Sequence, residues 1–146
     1  MLKLSRTTLG VGFAVTLALA SGASFAADFA DTRAAAQQAD ASGQSSLGLM
    51  YEFGDGVPQD YAEAAKWYRL AAELGDAGGQ FNLGVMYYNG NGVPQDYVRA
   101  HTWFNLAASR GNANGSKNRD MVAKLMTPAQ IAEAQRMARE WKPKPE

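Results

Sequence analysis

Two loops of the chain hold residue types that bind ions and phosphates. The first reads Gly54-Asp55-Gly56 and closes at Asp60; the second reads Gly90-Asn91-Gly92 and closes at Asp96. Glycines let backbone N–H groups converge on an anion, and clustered carboxylates hold calcium. Neither chemistry is complete. Asp55 becomes Asn91 in the second copy, and no bidentate Glu closes a twelve-residue loop. No strand pattern precedes the glycines and no Lys follows them, as a phosphate loop needs. The sequence therefore assigns no metal and no cofactor.

His101 is the only histidine. A triad needs nucleophile, base and orienting acid together. The adjacent Thr102 faces about 100° away on the same helix. His101 is expected to be partly exposed and to carry no catalysis. The carboxylates are spread over many helices. The chain has no Cys, which removes a thiol nucleophile, thiolate ligands, disulfides and a lipid acceptor. No catalytic residue is assigned, and an envelope hydrolase is the weakest reading.

The loops belong to one phrase written twice. Residues 43–78 align with 79–114 without a gap, and 20 of the 36 positions are identical. Each unit reads as two helices. The first, near 41–53, places Leu47, Met50 and Tyr51 at helical spacing. Gly48 sits inside it and recurs as Gly84. Glycine in a helix costs about 1 kcal/mol against alanine, so close approach of a partner helix is expected at both. The second helix starts near Asp60, an N-cap with Glu63 in capping-box register. Its apolar face is Tyr61, Ala64, Trp67, Tyr68 and Ala71, and Gly75 ends it. Trp67 and Trp103 recur at the repeat period and are read as core. In the loop, the glycines permit positive φ, Pro58 stiffens the joint and Asp60 caps the next helix.

The flanks read as caps. Residues 27–42 hold a polar N-terminal helix, Asp28 to Ala39, that aligns with a second helix but lacks its aromatics. Residues 115–142 hold a degenerate repeat and a capping helix. Arg119 and Asp120 stand where Leu83 and Gly84 stood. The capping helix begins at Thr127, with Pro128 in its first turn and Gln130 completing a capping box. Ile131, Ala134, Ala138 and Trp141 give it a face to bury. The tail, 143–146, is expected to fray.

These residues resemble the Sel-one-like repeat, a relative of the tetratricopeptide repeat. The signature stands here as Leu47-Gly48 with Tyr51, Gly54 to Tyr61, Ala64 with Trp67-Tyr68, and Ala71-Ala72 with Gly75. The second copy departs mildly, with Phe104 for the Tyr. The resemblance covers about residues 28–141. It implies an all-α, right-handed α/α solenoid and a role in protein–protein interaction, with no named partner and no nucleic acid. Members with disulfides inside each helix pair exist; this chain has no Cys and departs from that branch.

Before the repeats lies the order of a secretory signal peptide, 1–26. Lys3 and Arg6 precede an apolar run from Leu9 to Ala20, and Ser24 and Ala26 mark a cleavage site. The run is short and broken by glycine, too weak for a comfortable membrane span. A periplasmic or secreted protein without stable membrane insertion is expected. Charge is uneven along the remainder. Residues 27–96 hold 3 basic and 10 acidic side chains, net −7; residues 97–146 hold 9 and 4, net +5. Head-to-tail self-assembly is therefore an alternative function.

The leading expectation is a non-enzymatic adaptor that binds a partner peptide or protein on its concave face. If first helices line that face, Leu47, Gly48 and Tyr51 point away from it. Ser45, Leu49, Glu52 and Phe53 then face the groove, as do Phe81, Val85, Tyr88, Asn89 and Lys117. Phe81, Val85 and Tyr88 form one stripe, at i, i+4 and i+7.

Overall fold

The computed structural model describes residues 11–145, with side chains from residue 24 onward. Seven helices follow in order: α1 (Val11–Gln37), α2 (Ala41–Phe53), α3 (Tyr61–Glu73), α4 (Ala77–Asn89), α5 (Tyr97–Ser109), α6 (Ala113–Ala123) and α7 (Pro128–Glu140). Among the described residues every regular element is helical. The first ten residues of the expected leader lie outside the described residues. The rest enters α1, which runs unbroken past Ala26. No described helix is long and apolar enough to cross a membrane.

The fold is an α/α solenoid. Helix α2 packs on α3 and α4 on α5, while α3 against α4 joins one pair to the next. Caps punctuate it at the repeat period. Asp40, Asp76 and Asn112 are the N-caps of α2, α4 and α6, each accepting backbone N–H bonds. Asp60 and Asp96 cap α3 and α5 as expected. The capping box at Glu63 does not form. The Asp60 N–H that Glu63 would accept already donates to Tyr51 O at 2.8 Å, and Glu63 pairs with Lys66 instead.

Glycines close the helices. Gly54 and Gly90 end α2 and α4 in the left-handed region, at φ 72° and 70°. Gly75 and Gly111 follow α3 and α5 at φ 92° and 90°. The equivalent after α1 is Ala39, at φ 59°, so α1 ends as a second helix does.

The core explains the glycines inside the helices. A Cβ on Gly48 would lie 2.5 Å from the Tyr68 ring, and one on Gly84 2.7 Å from the Phe104 ring. Both rings are fully buried, with Leu47, Leu83 and the alanines Ala64, Ala71, Ala100 and Ala107 around them. Trp67 and Trp103 are half-buried at the margin, not core. The core position is one residue on, and the indoles lie a helical step aside. Trp103 stacks edge-on with Trp141 at 6.2 Å.

The end helices differ from the inner ones. Only Ala36 of the described side chains of α1 is buried, as a polar cap requires. Its aromatics are not wholly gone, because Phe29 meets Tyr51 edge-on at 5.9 Å. At the other end α7 has its capping box and packs on α5. Thr102 Oγ1 reaches it, donating to Ala134 O at 3.3 Å. The described tail is tied down at Lys144 rather than frayed. The Lys144 N–H donates to Glu73 O at 2.7 Å, and its ammonium pairs with the Glu73 carboxylate. Trp141, the C-cap of α7, lies under the Arg110 guanidinium at 5.3 Å.

Candidate interaction surface

The glycine loops come first, since they raised the question of chemistry. Part of their hydrogen bonding closes the joint, in the same way in both copies. The N–H groups of Gly54 and Asp55 both donate to Met50 O. Those of Gly90 and Asn91 both donate to Met86 O. Gln59 Nε2 donates to Glu52 O at 2.7 Å, and Gln95 Nε2 to Tyr88 O at 2.9 Å. These donors are turned onto the end of the preceding helix rather than converging on an anion. Among the described residues no three of His, Cys, Asp or Glu converge as ion ligands.

His101 is buried, at 3% exposure, rather than partly exposed. It stands where the first unit has the core residue Ala65, so the second unit fills that place with an imidazole. Nδ1 is buried without a hydrogen-bond partner. Burial lowers its pKa, the Arg119 charge adds to this, and Asp120 opposes it. Thr102 turns away, its Oγ1 donating to Val98 O at 2.8 Å, so its hydroxyl is not paired with the ring.

A pH dependence follows. The unfolded imidazole takes its proton near pH 6.5, while the folded one resists it. The unfolded chain therefore binds more protons below that pH, and stability declines as pH falls from about 6.5 toward the depressed value. Melting at pH 7.5 and pH 5 should show a larger loss for the wild type than for His101→Gln. Equal losses would contradict the burial of a neutral ring.

The positions expected to face a groove divide into two groups. Five of them are engaged within the fold. Ser45 Oγ donates to Asp76 Oδ2 at 2.7 Å. In the second unit Phe81 takes that place, packs on Phe104 at 5.6 Å, and Asp76 becomes Asn112. Glu52 accepts from the Tyr68 hydroxyl at 2.5 Å. Burial, and then Glu52 itself, raise the Tyr68 pKa and keep it the donor. The equivalent pair is Tyr88 and Phe104: the hydroxyl is gone, and Tyr88 rests on Tyr97 at 5.7 Å. Differences between the copies thus come in matched pairs. Phe81, Val85 and Tyr88 are half-buried against the core.

The second group is free. Leu49 is 42% and Phe53 69% exposed, while Asn89 and Lys117 are exposed. Sequence reasoning missed two partners to these. Met121 and Leu125, at 44% and 53% exposure, stand 36 residues after Val85 and Asn89. The signal was available. The register appeared lost at Arg119 and Asp120, yet counting on by the same period reaches both. Helix α2 touches α4, and α4 touches α6, so the first helices lie side by side. These side chains form a ridge in the sense that they recur at the repeat period on α2, at the end of α4, and on α6 and the turn after it. Its exposed side chains are apolar, with Asn89 and Lys117 beside them.

Comparison with known proteins agrees with the helix-pair fold. The family model of the Sel1 repeat matches residues 41–76 and 77–112. Those limits enclose the pairs α2–α3 and α4–α5, two residues ahead of the limits read from self-alignment. A solved chain described as a protective antigen present in uropathogenic Escherichia coli strains, displaying an SLR fold, is 36% identical with a TM-score of 0.73. The match covers 75% of this chain and 24% of that one. A Sel1 repeat protein from Oxalobacter formigenes is 37% identical with a TM-score of 0.61, over 62% of this chain and 26% of its own. This chain thus spans about a quarter of the length of the solved chains it matches. No curated protein matches it.

Proposed function

The chain belongs to the Sel1 repeat family, and from that premise we propose that it is a non-enzymatic adaptor of the bacterial cell envelope. It binds a partner peptide or protein across α2, α4 and α6. Sel1 folds are in general protein–protein interaction scaffolds, which supplies the class of function. The observation that carries the reading is the ridge of Leu49, Phe53, Met121 and Leu125, four large apolar side chains left exposed in a small chain. The leader-like order of Lys3, Arg6, the apolar run and Ala26 supports the envelope. A similar chain that is a protective antigen supports export as well.

The variant Leu49→Ser with Phe53→Ser tests this. Both side chains are exposed, so the helical melt should hardly move, while capture of the partner from envelope extract should be lost. Retained capture would sink the assignment. The pair Phe81 and Tyr88 serves less well, because both pack on the core and their loss would lower stability.

The alternative of head-to-tail self-assembly rests on the uneven charge, net −7 over residues 27–96 and +5 over 97–146. Such stacking would weaken with salt.

A further inference from the structure

The two ends of the ridge differ in charge, and this narrows the partner. We infer that the occupant is a segment of another protein with apolar side chains followed by carboxylates, lying with its acidic end over α6. This rests on the reading of the face as a binding surface.

Helix α2 offers Leu49 and Phe53 at i and i+4; two repeat periods on stand Met121, in the last turn of α6, and Leu125, in the turn just after it. Neighbouring helices pack about 10 Å apart, so α2 to α6 is about 20 Å. An extended segment of about six residues spans that width. The apolar pairs thus anchor one short segment at both ends.

Charge sets its direction. Lys117 and Lys124 belong to α6 and its C-cap, are exposed, and have no ion-pair partner among the described residues. Their acidic neighbour Asp120 is taken by Arg119 at 2.9 Å. Helix α2 and the loop after it, residues 41–60, contain no cation. They hold Glu52, already accepting from Tyr68, and the exposed Asp55 at the helix end. Carboxylates are therefore attracted at α6 and repelled at α2. An anionic membrane would meet the same repulsion at α2, since it presents charge over the whole face rather than at one end.

The probe is a capped fluorescent peptide of alternating leucine, phenylalanine and serine ending in a run of aspartates. Its control carries lysines in place of the aspartates. Fluorescence anisotropy at low salt should show the aspartate peptide binding at least about tenfold more tightly, the range two or three charge contacts supply. Lys117→Glu with Lys124→Glu should invert the preference, and salt should erase it. Equal binding of the two peptides, altered by Leu49→Ser with Phe53→Ser, would overturn the charge reading and leave the surface standing. Binding untouched by the serine variant would overturn the surface itself. Tighter binding of phosphatidylglycerol vesicles than of the peptide, or no binding of either peptide, would also overturn the proposal.

Discussion

Phe104→Ala should be the most damaging single truncation in the second unit, costing about 3–5 kcal/mol. The ring is 1% exposed, packs on Phe81 at 5.6 Å and lies over Gly84. Its loss leaves a cavity that helix backbones close only in part. Against a total stability of about 5–15 kcal/mol, the expected result is a sharply lowered midpoint in urea. Gly84 makes the claim specific. Gly84→Ala alone should destabilise by about 1–3 kcal/mol, through overpacking against the ring. In the Phe104→Ala background the clash is gone, and the same change should gain up to about 1 kcal/mol from helix propensity. A double-mutant cycle with additive effects would show that ring and glycine do not meet.

Gly92→Ala should cost more than Gly111→Ala, although both glycines have positive φ. A Cβ at Gly92 falls on the Tyr61 carbonyl oxygen, well inside contact distance. That oxygen is backbone in the first turn of α3 and cannot swing aside. At Gly111 a Cβ meets nothing within 4 Å. The second change should therefore cost only about 1–2 kcal/mol, the penalty of the left-handed conformation. The first should cost at least about twice that, because overpacking is added. Urea denaturation of the two variants checks this. Equal losses would mean that the joint does not press on the preceding pair.

These two comparisons locate what the sequence could and could not reveal. A glycine that recurs inside a helix, such as Gly48 or Gly84, costs helix propensity, so its return implied a ring or backbone close by. Asp60 and Asp96 were legible as caps because capping needs only neighbours in sequence. The Glu63 capping box was misread because its donor bonds to Tyr51, a contact closed across the joint. His101 was misread for a related reason: burial of one helix face depends on what packs against it. Trp67 and Trp103 showed the right period but sit one position off the core.

The candidate surface was legible in part. Leu49 and Phe53 were found, and both stand exposed. Ser45 and Glu52 were singled out because the copies differ there. The structure shows each tied to a second position that differs too, Asp76 and Tyr68. A difference between copies can thus record a repacked contact as well as a contact with a partner. Met121 and Leu125 were passed over because two residues broke the motif, although the period persisted beneath it.

The central claim is that this chain works through the face of its first helices and not through its repeated loops. It is tested most directly by capture from envelope extract with two variants side by side. One is Leu49→Ser with Phe53→Ser. The other is Leu70→Ser, a change of similar chemistry on α3 at a side chain 39% exposed. The account predicts that the first variant loses the partner and the second keeps it, with both melting as the wild type does. Capture lost with Leu70→Ser and kept with Leu49→Ser and Phe53→Ser would contradict it.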